Sequence, residues 1–166
     1  TEYFDTKMGV YKPGYVREEQ QLLFDDGHDF ETAFAAAFSR KTGLLWIPSP
    51  FTYWNEDNPD ILYNTDGWLI EVDEHGKYHL GLYEGKKTNN FSETQRAFYR
   101  NEVPPYYQDQ LAGYFNGLPF VEFAYINCGW GTNSQKEMKY IRVERDEMYI
   151  SEVMDIVNDF LADAKN

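Results

Sequence analysis

Hydrophobic residues along the chain switch between helical and strand spacing, which predicts a mixed α/β domain. An alanine-rich stretch with Phe30, Phe34 and Phe38 four residues apart predicts a helix over residues 27–42, stopped by a glycine. The later elements follow in this order: a strand near 44–53, hairpin strands at 65–72 and 78–86, a helical region from about 92 to 117, strands near 119–127 and 138–146, and a closing helix.

The closing helix is expected to begin at Ser151, a favourable N-cap residue. Its apolar residues fall on one face, as expected for a helix that packs on a core. They are Val153, Ile156, Val157, Phe160 and Leu161. The predicted architecture is a single domain over residues 1–166, with a mixed central sheet that carries the active site between flanking helices.

The predicted hairpin has a register that can be counted from its turn. Its three-residue loop ends in Gly76, and glycine suits the left-handed position of such loops. The loop pairs Asp73 with Lys77, and counting outward pairs Asp66 with Glu84. Side chains that oppose each other in an antiparallel pair share one face, with Cβ atoms roughly 5 Å apart. The two carboxylates are therefore expected to lie together.

Lys86 is two residues beyond Glu84 on the same strand, so it shares that face. Two acids and an amine at one place suit a magnesium or manganese site, because these hard cations prefer oxygen ligands. The lysine would orient or help deprotonate an attacking water and offset charge in the transition state. A Glu-x-Lys tripeptide alone is common, and most examples are ordinary exposed hairpin residues.

Polar residues beside apolar stripes mark the two flanking helices. Glu31 adjoins the phenylalanine stripe of the first helix, where a carboxylate needs a partner such as a metal or Lys86. It would otherwise be a boundary residue or a first-turn acid favoured by the helix dipole. Gln108 falls on the apolar face with Leu111 and Phe115, and a buried amide must be hydrogen-bonded. It would hold a water or a phosphate oxygen, or contact the backbone.

The order of these motifs resembles the YqaJ-like viral recombinases, a family typified by the exonuclease of phage lambda. The resemblance also takes in residues 3–6, 140–149 and 156–161 and so covers nearly all of the chain. The motifs that carry it are Gly27-x-x-x-Glu31, Asp66-Gly67, Glu84-Gly85-Lys86 and Gln108-x-Gln110.

The resemblance implies a role for each matching residue. Asp66 and Glu84 would be metal ligands, with the Gly85 carbonyl as a third protein contact and Lys86 as the catalytic lysine. Glu31 would bind or order the water shell of a second metal.

Two of the matches have a rival. Gln108 matches the first glutamine of the family motif, near the nucleophilic water, and Gln110 is the alternative if the register slips. Asp60, which follows a proline, competes with Asp66 for the place of the first acid, but Asp-Gly before a strand and the hairpin register favour Asp66.

The resemblance further implies the restriction-endonuclease-like fold of the PD-(D/E)xK nucleases and a magnesium-dependent 5′-to-3′ exonuclease of a phage recombination system. It would act on double-stranded DNA ends as a trimeric ring, together with a single-strand annealing protein. In the family, the helices that grip the 5′ phosphate precede the point that matches Thr1, so the chain is expected to lack them, naturally or by truncation. Arg17, Arg40 and Lys41 are possible substitutes, although each also suits a solvated surface.

The net charge of −13 is unusual for a protein that binds nucleic acid. Basic residues concentrate only after the proposed site, at Lys86, Lys87, Arg96 and Arg100, as a DNA channel would require. Two other interpretations remain open: an endonuclease or nickase with the same fold, and a non-catalytic acidic protein that mimics DNA or binds another protein. A single cysteine, Cys128, and no apolar run of membrane-spanning length favour a cytoplasmic protein.

Overall fold

The structure is a computed structural model that describes residues 31–55, 58–132 and 135–164. Its helices, numbered in chain order, are α1 (31–42, the described part), α2 (Glu93–Tyr99), α3 (Pro105–Gly117) and α4 (Glu147–Ala164). Its strands are β1 (Leu45–Pro48), β2 (Tyr53–Asn55), β3 (Asn58–Tyr63), β4 (Gly67–Val72), β5 (Tyr78–Lys87), β6 (Phe123–Thr132) and β7 (Gln135–Glu144).

Five strands form the central sheet, in the order β1-β4-β5-β6-β7. Neighbours are antiparallel except β5 and β6, which run parallel and are joined through α2 and α3. Strands β2 and β3 pair with each other in a separate two-stranded sheet. This is the mixed α/β sheet flanked by helices that the sequence predicts.

Helices cover both faces of the sheet, so its middle strands are buried. On one face, Ala35 and Phe38 of α1 pack against Leu69 and Tyr83. On the other face, residues of α2, α3 and α4 form a larger cluster with β5 and β6. Alternate residues of β5 therefore face two different layers, which separates the neighbours of Tyr83 from those of Glu84.

Prolines interrupt two of the predicted elements. The strand expected near 44–53 ends at Pro48, and a second strand begins at Tyr53, because Pro48 and Pro50 cannot donate hydrogen bonds to a ladder. The helical region expected from about 92 to 117 is two helices, and Pro105 occupies the first turn of α3, where a missing N–H costs nothing. The last two strands also occupy 123–132 and 135–144 instead of 119–127 and 138–146.

Helix α4 begins four residues earlier than predicted, at Glu147. The cap is Asp146, whose Oδ1 accepts hydrogen bonds from the backbone N–H of Met148 (3.0 Å) and of Tyr149 (3.2 Å). The expectation that Ser151 is the N-cap is therefore wrong, because Ser151 is an exposed residue inside the helix. The expected apolar face also needs correction, since Ile156 is 71% exposed. In the described residues no helix has both the length and the apolar character to span a membrane.

Candidate active site at the end of strand β5

The β4–β5 register agrees with the count made from the loop. Gly67 pairs with Tyr83 at one end of the ladder, and Gly76 has the expected positive φ of 78°. The same count places Asp66 opposite Glu84. Strand β4 begins only at Gly67, so β5 runs past it, and Asp66 lies at the edge that β4 leaves open. On its other side β5 stays paired with β6 as far as Lys87.

Glu84 is the most buried acid of this region, with 3% of its surface exposed. Its Oε1 accepts hydrogen bonds from Lys86 Nζ (2.6 Å) and Gln110 Nε2 (2.9 Å). Its buried Oε2 accepts none from any residue that the structure describes. Burial and the charge of Asp66 raise the pKa of Glu84 to about 7, against the opposing effect of Lys86. The ionised form would therefore be stabilised by more positive charge beside Oε2.

Asp66 and Glu31 converge on Gly85. Asp66 Oδ2 accepts a hydrogen bond of 2.7 Å from the Gly85 backbone N–H. The carbonyl of Gly85 faces the same open edge, because the N–H and C=O groups of a strand residue point to one side. A Cβ atom at Gly85 would lie 3.5 Å from Asp66 Oδ2 and 3.5 Å from Glu31 Cγ. The site thus combines two acids and a backbone carbonyl near one point of the sheet edge.

A hydrogen-bonded chain links the site to helix α3 and to the loop before β4. Gln110 Nε2 donates to Tyr114 Oη (2.8 Å) as well as to Glu84, and Tyr114 Oη donates to the Asn64 carbonyl (2.5 Å). Thr65 is buried, and its hydroxyl proton is shared between the carbonyls of Gly67 and Tyr83, each 3.2 Å from Oγ1. These contacts fix the backbone on both sides of Asp66. Sequence reasoning missed Thr65 and Tyr114, although Gln110 and Tyr114 have the four-residue spacing of helix neighbours.

Gln108 lies away from the proposed metal ligands. Its Nε2 donates to the Val103 carbonyl at 2.7 Å, on the other side of α3. Of the two glutamines, the structure places Gln110, the alternative, beside Glu84, whereas Gln108, the first choice, contacts the backbone. The helical reason is that Gln108 shares the face of Leu111 and Ala112, which packs against the core, whereas Gln110 is turned toward β5.

The structure also shows where the rival acid Asp60 and the basic residues proposed to contact DNA lie. Asp60 lies in β3 of the separate sheet, whereas Asp66 adjoins β5. Lys87 is exposed and, by strand alternation, lies on the opposite face from Lys86. Arg96 is exposed on α2, and Arg100 pairs with Glu102 at 2.8 Å. Arg40 and Lys41 are exposed near the end of α1, and Arg17 lies outside the described residues.

The donor set fits magnesium better than a metal that needs a full protein cage. Within the described ranges, no three His, Cys, Asp or Glu side chains are arranged as a metal site. Magnesium usually keeps several waters and takes only one or two carboxylates, together with substrate phosphates. Asp66, the unengaged Oε2 of Glu84 and the Gly85 carbonyl meet that requirement.

Comparison with solved structures identifies the fold. The chain matches the crystal structure of an alkaline exonuclease, LHK-Exo from Laribacter hongkongensis, with a TM-score of 0.73 and 16% sequence identity over 99% of this chain and 76% of that chain. The two share a fold. The structure of LHK-Exo in complex with dAMP matches over the same shares, with a TM-score of 0.72. No protein-family model and no curated protein matches the chain. At this identity the likeness establishes the fold alone.

Proposed function

We propose that the chain is a magnesium-dependent deoxyribonuclease that degrades duplex DNA from its ends as a processive 5′-to-3′ exonuclease. The observation that carries the proposal is the buried Glu84 carboxylate at the open edge of β5. One of its oxygens accepts a hydrogen bond from Lys86, and the carboxylate faces Asp66. The fold shared with an alkaline exonuclease supports it. The dAMP bound to LHK-Exo also supports it, since a deoxynucleoside monophosphate is what an exonuclease releases.

Each site residue has a role that follows from its contacts. Asp66, Glu84 and the Gly85 carbonyl would hold the cation, with Glu31 near enough to order water around it. Bound magnesium would polarise the scissile phosphate and lower the pKa of the attacking water. Manganese would suit the same oxygen ligands. Lys86 would donate a hydrogen bond to the phosphate or the water, and Gln110 would keep Glu84 oriented.

The resemblance to the YqaJ-like recombinases extends the proposal to partners. We propose that the chain assembles into a ring-shaped trimer in the cytoplasm of a bacterial host and acts with a single-strand annealing protein in phage recombination. A ring that encloses duplex DNA would retain it by topology, which would compensate for a net charge of −13.

Digestion of two DNA forms tests the proposed activity. Linear duplex with 5′-phosphate ends and closed-circular duplex are incubated with the protein in magnesium and in EDTA, and products are separated on denaturing gels. We expect the linear DNA alone to be degraded to mononucleotides, only in magnesium. A second linear substrate, with one 5′ end blocked, reports the direction of degradation.

The other outcomes separate the alternatives. Cutting of the circle would show an endonuclease or nickase built on the same site. Absence of cleavage on either DNA, in magnesium and in manganese, would contradict the nuclease proposal and favour a non-catalytic acidic protein.

A further inference from the structure

The sheet register aligns a second lysine with Lys86. Lys86 pairs with Cys128 of β6, and Cys128 pairs with Lys139 of β7, so all three side chains share one face of the sheet. Adjacent strands are about 4.8 Å apart, so the backbone at Lys139 lies roughly 10 Å from that at Lys86. Cys128 between them is buried, so what the two lysines share is the same end of the sheet.

An open aromatic ring lies beside Lys139. Tyr99 is 50% exposed, and Lys139 Nζ lies 5.7 Å from its ring centroid. The hydroxyl of Tyr99 donates to Glu137 Oε2 (2.7 Å), which also accepts from Trp130 Nε1 (3.2 Å). The two rings are in contact, with centroids 5.2 Å apart. Tyr99 is thus held by Glu137 and Trp130, while half of its surface remains exposed to solvent.

Tyr99 and Lys139 line a cavity of about 390 Å³ together with Trp130, Glu137, Lys41 and Lys136. Its charged residues are three lysines and one glutamate, in a chain that carries −13 as a whole, and the rest of the lining is Ala33, Phe34, Ala37 and Met138. The volume is in the range of small-ligand pockets and suits one nucleotide.

We propose that Tyr99 and Lys139 form a subsite for single-stranded DNA, here called the Tyr99–Lys139 subsite, at the same end of the sheet as the proposed active site. An unpaired base stacks on Tyr99, and an adjacent phosphate binds Lys139. The inference rests on the proposed nuclease function. Duplex DNA does not fit this role, because the faces of its bases are already stacked on one another.

Binding to a fluorescent single-stranded oligonucleotide, measured by anisotropy in EDTA to prevent cleavage, tests the subsite. Tyr99→Leu and Lys139→Gln are each expected to raise the Kd on the order of tenfold. Lys139→Gln is also expected to lower the slope of log Kd against log salt by about one phosphate contact. Matched controls are Tyr78→Leu and Lys77→Gln, at the hairpin turn on the opposite end of β5, which should leave the Kd unchanged.

A conservative variant separates stacking from packing. Tyr99→Phe keeps the ring but loses the bond to Glu137, so it should bind DNA like the wild type. If Tyr99→Phe weakens binding as much as Tyr99→Leu, Tyr99 acts only through its packing, and the subsite is overturned.

Digestion of linear duplex in magnesium by the same variants distinguishes failure of the subsite from failure of the proposed nuclease function. Unchanged oligonucleotide binding by Tyr99→Leu and Lys139→Gln, in a protein that still degrades DNA, would overturn the subsite and leave the nuclease proposal intact. A wild-type protein that neither binds the oligonucleotide nor degrades DNA would overturn both.

Discussion

Single atoms decide the chemistry of the candidate site, and the two oxygens of Glu84 differ. Oε1 is shared by Lys86 and Gln110, whereas Oε2 accepts no hydrogen bond from the described residues. A buried carboxylate oxygen without a donor is costly unless a cation neutralises it. A cation bound as proposed would complete the surroundings of Glu84, which the described residues leave without a donor at Oε2.

Replacement of the two glutamines of α3 separates their roles. Gln110→Leu removes the donor to Glu84 and should lower kcat about tenfold or more, because the carboxylate proposed to bind the metal loses its fixed orientation. Gln108→Leu leaves the Val103 carbonyl without its partner and should reduce the free energy of unfolding by about 1 kcal/mol with kcat unchanged. Steady-state digestion and urea unfolding measure both quantities, and the reverse pattern would restore Gln108 to the active site.

Magnesium is expected to stabilise the folded protein through the two site acids. A ligand that binds only the folded state at about 100 times its Kd adds about 2.7 kcal/mol, which thermal unfolding detects as a higher Tm. Asp66→Asn and Glu84→Gln should abolish this increase. Glu74→Gln, at a hairpin-loop acid whose side chain is 86% exposed, is the matched control and should retain it. An equal magnesium shift in all four proteins would place the metal elsewhere.

At the scale of elements, the hairpin was predictable because its turn is encoded locally. Gly76 fixes the loop, the loop fixes the register, and the register brings Asp66 beside Glu84. Gln110 was harder to choose, because both glutamines of α3 are polar residues on a partly buried helix and only the packing of α3 against β5 shows which one turns inward. Asp146 was missed for a related reason: it fell at the end of the strand predicted near 138–146, and Ser151 offered an equally good capping residue downstream.

Substitutions at Asp146 and Ser151 test which of the two residues caps α4. Asp146→Ala removes the acceptor for two backbone N–H groups and should lower the free energy of unfolding by about 1 kcal/mol. Ser151→Ala, inside the same helix and exposed, should change it by less than about 0.5 kcal/mol. Chemical denaturation of both variants measures the difference, and a larger loss for Ser151→Ala would return the helix start to the predicted position.

The hairpin turn is tied to the start of β6 by an ionisable contact. His79 Nδ1 lies 2.7 Å from Glu122 Oε2, and His79 Nε2 lies 3.2 Å from Asp73 Oδ2. The hydrogen bonds to Glu122 and then to Asp73 raise the pKa of His79 above its ordinary value of 6.5. Because the folded-state pKa is the higher one, this contribution to stability is complete below about pH 6.5 and is lost as the pH rises through the folded-state value.

Urea unfolding at several values between about pH 6 and pH 9 tests this linkage. The wild type should lose stability across the range, and His79→Gln should lose less, so the two curves converge at high pH. The control is His75→Gln, whose side chain is 81% exposed on the same turn and should follow the wild type. Parallel curves for wild type and His79→Gln would refute the contact as a source of pH dependence.

At the scale of the whole molecule, the sequence predicts the fold better than it predicts the character of the surface. Alternating strands and amphipathic helices indicate the mixed sheet, and the solved exonuclease structure shares that fold over 99% of this chain. The distribution of charge could not be predicted, because it depends on which residues of distant segments meet. Lys139 lies far from Lys86 in sequence but in line with it across the sheet, and Lys86 and Lys87 are sequence neighbours on opposite faces. Two lysines far apart in the sequence therefore lie on one face at the same end of the sheet, in a chain of net charge −13.

The central claim is tested most directly by the rate at which Lys86→Gln degrades linear duplex DNA in magnesium. The wild type and Lys77→Gln are measured beside it. Glutamine can still bond to Glu84, so circular dichroism should show the variant folded. We predict at least a ~100-fold lower rate for Lys86→Gln and an unchanged rate for Lys77→Gln. A folded Lys86→Gln protein that degrades DNA at the wild-type rate would contradict the assignment of this site.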